Sequence, residues 1–331
     1  MMNQPSDHVR LLANGLRVLQ LNSSDELKML GTAELEFDAV EAGSAINDYT
    51  GLAEYADRVK ALWHCRSPSV TGLECLQAIE SVNSSHDGEQ RFDYRLLKNL
   101  KTFICRDGTV IPAKYLNHPS IELLDIGHCK IESFRDLSAA TRLRQLRLTA
   151  CKVKSLEGIG ALQAMRELRL LDGRQLVDIE EVSACPSLEV LEITGAKNLL
   201  DVSSVQALGR LKLLFLRTPG AALEELRWLS GMPELRCAVL EVPVKRIDWS
   251  VFANHPRLYD FFILSVPGGL VETDAEIASQ LETSGRKVVK LTRIKAGPAI
   301  RVELEPVAGT VDPLPNTHYQ DFLGRVPPNQ E

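Results

Sequence analysis

No stretch of this 331-residue chain approaches the roughly 20 apolar residues that a membrane-crossing helix needs. The N-terminal run MMNQPSDHVRLL lacks the charged, apolar and small-residue order of a secretory signal. The seven cysteines are odd in number and dispersed, and none forms a C-x-x-C pair. They indicate neither a disulfide framework nor a zinc site, and a reducing, cytoplasmic setting is expected. There is no glycine-rich phosphate loop followed by Lys-Ser/Thr, no G-x-S-x-G and no H-E-x-x-H. The chain also lacks a basic excess, with a net charge of −6 and a pI near 5.8. That argues against non-specific nucleic-acid binding, which draws its affinity from neutralised phosphates. The expected partners are proteins, with no nucleic acid and no membrane. No cofactor, metal or oligomeric state is indicated.

What the chain does have is a repeat. A hydrophobic share of 44% is enough for a folded protein. Much of it recurs as the phrase L-x-x-L-x-L, starting at Leu100, Ile121, Leu143, Met165, Leu188, Leu211, Leu235 and Leu258. The steps are 21, 22, 22, 23, 23, 24 and 23 residues. A period in this range marks a stacked-repeat protein. Such a protein displays a long ordered surface but does not by itself assemble a catalytic pocket.

The copy from Leu143 reads Leu143, Leu146, Leu148, Cys151, Val153, Leu156 and Ile159. The copy before it matches position for position with Ile121, Leu124, Ile126, Cys129, Ile131, Phe134 and Leu137. Leu146-x-Leu148 has period 2, which predicts a short strand with one buried face. Later spacings of three suit a helical or 3-10 turn that returns along the other side. The pattern resembles the leucine-rich repeat family, in its short class of about 22 residues per unit. Cys129 and Cys151 stand where that family has Asn or Cys, whereas later copies hold Gly173, Ala196, Pro219 and Pro243. The resemblance covers roughly residues 96–264. It implies an α/β leucine-rich-repeat solenoid, that is, a curved parallel β-sheet with short helical or 3-10 return turns.

Around this core the reading has four parts. Residues 1–95 form an N-terminal cap with degenerate repeats, in which Leu16-x-x-Leu19-x-Leu21 and Val59-x-x-Leu62 echo the phrase. Leu35-x-Phe37 marks a further strand, and the polar stretch 81–90 an exposed loop. Residues 96–266 are the regular repeats. Residues 267–305 are a C-terminal helix plus β-hairpin cap. Pro267-Gly268-Gly269 breaks the chain, Thr273-Asp-Ala-Glu276 is a capping box, and 287–294 and 299–305 are two strands covering the last repeat. Residues 306–331 are an extended Pro-rich tail. Its Leu314-Pro-Asn-Thr317 matches part of a cell-wall sorting signal by coincidence, because His318 stands where Gly is needed.

Candidate chemistry is thin. Cys105, Cys129 and Cys151 fall on repeat framework positions, as small buried hydrophobes do. His118 and His255 recur in matching Asn-His-Pro phrases, which marks them as scaffold. Leucine-rich-repeat ubiquitin ligases carry a catalytic Cys in a large domain after the repeats, and this chain has no Cys after Cys237. The functional residues are therefore sought on the concave face. Positions 3, 5 and 7 of each phrase alternate with the inward positions 4 and 6. They give a charged middle of Asp125, Arg147, Glu167, Arg169 and Glu192, followed by an apolar part of Leu213, Phe215, Val239, Phe262 and Leu264 beside Arg217. An exposed apolar patch with aromatic and Arg anchors marks a binding surface, unless the chain after Pro267 folds back over it. The expectation is a non-catalytic protein–protein interaction module: an adaptor, an inhibitor or a toxin-neutralising immunity-type protein. The alternatives are an enzyme site near Asp48, Asp57, His64 and His86, or a small-ligand receptor.

Overall fold

The computed structural model describes residues 8–29, 35–65, 70–85, 92–106, 114, 116–265, 270–294 and 299–307. The chain forms two compact units, Met1–Met165 and Arg166–Glu331.

The first unit holds β1 (Val9–Leu11), β2 (Arg17–Leu21), the short helix α1 (Ser24–Met29), β3 (Ala39–Ala42), β4 (Ala61–Cys65), β5 (Ser81–Ser85), β6 (Thr102–Cys105), β7 (Leu123–Gly127) and β8 (Gln145–Thr149). β1 runs antiparallel to β2, and from β2 to β8 each strand is parallel to the next. The register aligns Val18, Ala39, Ala61, Ser81, Thr102, Leu123 and Gln145. Those positions are 21, 22, 20, 21, 21 and 22 residues apart, so the repeat reaches back to the first parallel strand.

Two expectations are corrected here. Residues 81–85 are strand β5, not loop, while 86–90 lie outside the described residues. β5 is polar because only its fourth-position residue, Val82, is a core apolar side chain, and Ser84 occupies the other inward position. The strand expected at Leu35-x-Phe37 begins two residues later, at Ala39. Phe37 is the buried first anchor of its phrase, and Val40 and Ala42 are the inward pair.

Among the described residues most repeats close through a short 3-10 turn, with the short helices α1 and Ser250–Ala253 in its place after β2 and before the last repeat strand, and Asx or Ser side chains fix where several of these turns start. Asp93 accepts the backbone N–H of Arg95 (3.1 Å), and Ser133 that of Arg135 (3.2 Å). A side-chain oxygen held two residues ahead satisfies a donor that the first turn leaves over. The strands β7 and β8 are each followed by a left-handed residue, His128 and Ala150 (φ 54° and 52°). Just before His128, a Cβ at Gly127 would lie 2.0 Å from the Arg106 carbonyl oxygen, so only glycine fits there.

Cys129 and Cys151 follow these strand ends one repeat apart. The structure joins them in a disulfide with a Cα–Cα distance of 4.8 Å. This corrects the reading of all seven cysteines as unpaired. Equivalent positions of parallel neighbours stack at about the strand spacing of ~4.8 Å, within disulfide reach although 22 residues separate them. Linear spacing conceals such a pair.

The second unit holds β9 (Glu167–Leu171), β10 (Val190–Thr194), β11 (Leu213–Arg217), β12 (Cys237–Val244), the helix α2 (Ser250–Ala253), β13 (Asp260–Ser265), the helix α3 (Asp274–Leu281), β14 (Val288–Ile294) and β15 (Ala299–Leu304). β9 to β13 are parallel in chain order. β15 then pairs antiparallel with β13, and β14 antiparallel with β15. The hairpin thus takes the open side of the last repeat strand, as the sequence predicts. α3 opens on the expected capping box: Thr273 accepts from the Glu276 N–H, and Glu276 accepts from the Thr273 N–H. α3 buries Ile277 and Leu281, and Glu272 just ahead of it accepts from the Trp249 indole N–H (3.3 Å). Residues 266–269 and 295–298, and those from 308 on where an extended Pro-rich tail is expected, lie outside the described residues.

The core of both units is the fourth and sixth positions plus the return turns. Pairs such as Leu146 and Leu148, or Leu191 and Ile193, are fully buried or nearly so. The inward sixth positions of β4 and β5 depart from this pattern, holding His64 and Ser84 at 1% exposure. The Tyr49 ring stands edge-on to His64 with centroids 6.3 Å apart.

Candidate protein-binding surface

The outward side chains of the first unit make a seven-residue row across β2 to β8. Register aligns Gln20, Glu41, Trp63, Asn83, Ile104, Asp125 and Arg147 on one face. Six of these keep part of their surface in solvent, and Asp125 is buried. Local pairing orders the two ends. The Gln20 amide donates to Glu41 (2.8 Å), and Arg10 also reaches Glu41 (3.4 Å). At the other end Asp125 is bridged by Arg106 at 2.6 Å and by Arg147 at 3.9 Å. Trp63 stands between the two paired ends. Sequence reasoning missed Trp63 because it treated residues 1–95 as a cap with degenerate repeats and sought outward positions only in the regular phrases from Leu100 on. Stepping back from Leu100 by 21, 20 and 22 residues would have reached Ile79, Val59 and Phe37, and so the strand that carries Trp63.

In the second unit, most outward residues expected to face solvent do not. Leu213, Phe215, Val239 and Phe262 are between 0 and 4% exposed, and with Cys237 and Ala299 they form one apolar cluster. Their direction is as predicted, since they alternate with the inward Leu214, Leu216, Ala238, Leu240, Phe261 and Ile263, but their exposure is not. Two of the charged residues, Arg169 and Glu192, are also buried. Arg169 bridges the half-buried Glu167 (2.5 Å) and Glu192 (3.3 Å), with side chains 2%, 13% and 0% exposed. Burying charges is tolerated only where they pair closely. Arg217 is the open member of the set. Its guanidinium makes two bonds to Glu241 (2.5 and 2.7 Å) and lies 5.9 Å from the Phe215 ring centre. The Glu241 carboxylate holds Arg217 above its ordinary pKa. Asp260 receives a similar fork from Arg301 (3.1 and 2.8 Å).

The residues weighed for an enzyme site differ in their surroundings among the described residues. His64 is sealed within the core, whereas Asp48 and Asp57 sit at exposed turns, and His86 lies outside the described residues. Asp48 is engaged in turn formation, accepting the Thr50 N–H at 2.9 Å. His118 and His255 are both buried, and burial lowers their pKa values. The His255 ring accepts the Leu258 N–H (3.0 Å) and meets the Met232 carbonyl oxygen (3.1 Å). Among the described residues no cluster of His, Cys, Asp and Glu is arranged to hold a metal, and no helix is long and apolar enough to cross a membrane.

No family model and no curated protein matches the sequence. Solved structures do match in shape. A leucine-rich repeat protein of Leptospira interrogans superposes with a TM-score of 0.53 at 17% identity, over 73% of this chain and 62% of that one. The chain thus matches somewhat under two thirds of that protein's length. An internalin of Listeria monocytogenes (inlF) matches at TM-score 0.41 and 14% identity, over 70% of this chain and 87% of that one. TLR13, solved in complex with ssRNA13, matches at TM-score 0.45 and 16% identity, over 78% and 50%. With its parallel strands in repeat register and its 3-10 returns, the chain has the leucine-rich-repeat fold.

Proposed function

We propose that this protein is a non-catalytic interaction module that grips a partner protein on the outward face of its first unit. Trp63 is the anchor. Asp125 with Arg106 and Arg147 at one end, and Glu41 with Gln20 at the other, set the partner's orientation. The supporting observation is one partly open aromatic within a mostly polar row, with the Arg106–Asp125 ion pair on one side and Glu41, bonded by Gln20 and Arg10, on the other. Trp and Arg are the types most enriched at binding hot spots, and a polar rim around an aromatic centre is the usual anatomy of an interface. Charges at the ends favour encounter in one orientation. The partner surface that fits offers an apolar pocket for the indole and a carboxylate for Arg147.

The anchors move from the C-terminal patch to the first unit because Phe215 and Phe262 are already buried. An adaptor, an inhibitor and an immunity-type neutraliser would all use such a face, and a soluble cytoplasmic setting would suit each of them. The test is affinity capture from the native cell with full-length wild type, Trp63→Ala and Val177→Ala, the last an exposed apolar residue away from the row. A protein held by wild type and Val177→Ala but weakened by roughly 30-fold or more in Trp63→Ala supports the reading. Equal capture by all three removes Trp63 from the interface.

A further inference from the structure

Two independent features meet where β7 and β8 end in the first unit. One is the Cys129–Cys151 disulfide, while Cys75, Cys105, Cys185 and Cys237 are free. The other is local charge. In a chain of net charge −6, residues 128–133 and 150–155 carry Lys130, Lys152 and Lys154, all exposed, against one carboxylate, Glu132. A lysine follows each half-cystine directly, and the Lys152 N–H donates to the Cys129 carbonyl (3.3 Å), so the backbone keeps both lysines next to the bridge. The bridge is also asymmetric. Cys129 is 1% exposed and Cys151 6%, so solvent reaches the pair from the Cys151 side. The reduced state is provided for as well. The Cys129 N–H donates to the Cys151 Sγ (3.2 Å), and the Thr149 and Ile126 carbonyl oxygens lie 3.5 and 3.7 Å from that sulfur, where they can accept from a thiol S–H. Cys151 thus has hydrogen-bond partners in both redox states.

We propose that Cys129–Cys151 is a reversible redox site that exchanges with small anionic thiols and their disulfides. The lysines raise the local concentration of the anion, and Cys151 is the point of entry. A small thiolate attacks the Cys151 Sγ and forms a mixed disulfide. The protein S–S bond breaks, and Cys129 leaves as a thiolate that takes a proton from water. A second small thiolate attacks the small-molecule sulfur of the mixed disulfide. This releases the small disulfide and frees Cys151, which is protonated in turn. The protein pair gains two electrons and two protons, and two small thiols are oxidised to one disulfide. The same steps reversed, with the small disulfide as oxidant, close the bridge. The bridge joins residues 22 apart and so closes a loop that contains the whole return of this repeat. Reduction frees that loop, and the repeat opens locally more often although the β7–β8 ladder remains. Asp125 and Arg147 lie four residues ahead of Cys129 and Cys151 respectively, so the site also governs how firmly that charged pair is held. The exchange chemistry does not depend on a binding role for Trp63.

The test times reduction of the full-length oxidised protein under native conditions. The probes are 3-mercaptopropanesulfonate, whose thiolate carries one extra negative charge, and neutral 2-mercaptoethanol, each scaled to its own rate on a small linear disulfide. Acid quenching and isotopic N-ethylmaleimide labelling in denaturant then read Cys129 and Cys151 by mass spectrometry. Three lysines less one carboxylate, at about 8 Å in water, favour the sulfonate by roughly fivefold at low salt. That advantage is expected to vanish in Lys130→Gln/Lys152→Gln/Lys154→Gln and to shrink in about 0.5 M salt. No advantage in the wild type, or one that the triple change leaves intact, overturns the proposal. The oxidised form of the sulfonate is expected to restore the bridge, and failure to do so also overturns it. Cys185 guards against a trivial result, because it is buried and burial pushes its thiol pKa up to about 11. If the bridge is reduced only as fast as Cys185 reacts with N-ethylmaleimide in the native protein, unfolding exposes it, and it is a structural bridge rather than a redox site.

Discussion

The two units repeat the same strand at nearly the same step, and they treat the same outward position differently. In the first unit the row from Gln20 to Arg147 is polar apart from Trp63 and Ile104, and six of its seven members keep part of their surface in solvent. In the second, the equivalent row of Arg169, Glu192, Phe215, Val239 and Phe262 is buried. Backbone geometry therefore fixes which way a side chain points but not whether it meets water. That second property depends on what lies over the sheet, and it separates a surface free to bind from one already spent on the protein's own stability.

Breaking the buried ion cluster tests this most severely. Arg169→Ala leaves the fully buried Glu192 without the guanidinium that bridges it to Glu167. Truncating one partner of a buried pair costs about 3–5 kcal/mol, so urea denaturation should show a loss of that size in the second unit. A loss below about 1 kcal/mol would mean that the cluster is in fact solvated. Phe215→Ala comes next, at about 3–4 kcal/mol, because a phenyl ring removed from a closed cluster leaves a cavity. The matching change in the first unit, Ile104→Ala, starts from a partly open side chain and should cost no more than about half as much. Equal losses at 104 and 215 would erase the distinction between the two faces.

The pH response sharpens the comparison in another way. His118 belongs to the first unit and His255 to the second, and in both burial disfavours the charged ring. A histidine whose folded pKa is depressed is neutral in both states at high pH. Below the ordinary value of 6.5 the unfolded chain takes up the proton first. Stability should therefore be complete above that pH and fall as pH drops through it. His255→Gln should flatten the fall in thermal midpoint measured between pH 7 and pH 5.5. An equally steep fall in the variant would assign the effect to other groups.

The fold was legible because it is periodic. The phrase from Leu100 to Leu258, the capping box at Thr273 and the two terminal strands were all placed from spacing and capping chemistry. The N-terminal repeats were harder to see because their inward sixth positions hold Ala42, His64 and Ser84 instead of leucine. A hydrophobic pattern fades there although the step persists, and Trp63 was lost with it. The Cys129–Cys151 pair was illegible for a different reason: proximity between repeats is a property of stacking, not of spacing. The surface was half legible. Alternation gave the direction of Phe215 and Phe262, but no local rule reports how little of each ring meets water.

The smallest expected effect comes from Arg147→Ala, the counterpart of Arg169 in the first unit. Asp125 is buried, and yet its nearer cation is Arg106 at 2.6 Å, with Arg147 at 3.9 Å. Removing Arg147 therefore leaves the carboxylate paired, and the loss should stay below about 1 kcal/mol and shrink further in high salt. Removing Arg106 alone should behave similarly if Arg147 closes the gap. The double change Arg106→Ala/Arg147→Ala strips both cations from Asp125, so its cost should exceed the sum of the singles by about 1 kcal/mol or more in a denaturation cycle. An additive result would show that Asp125 does not depend on these arginines. The charge pair would then be free to serve recognition alone, and the open face would owe none of its stability to the residues that orient a partner on it.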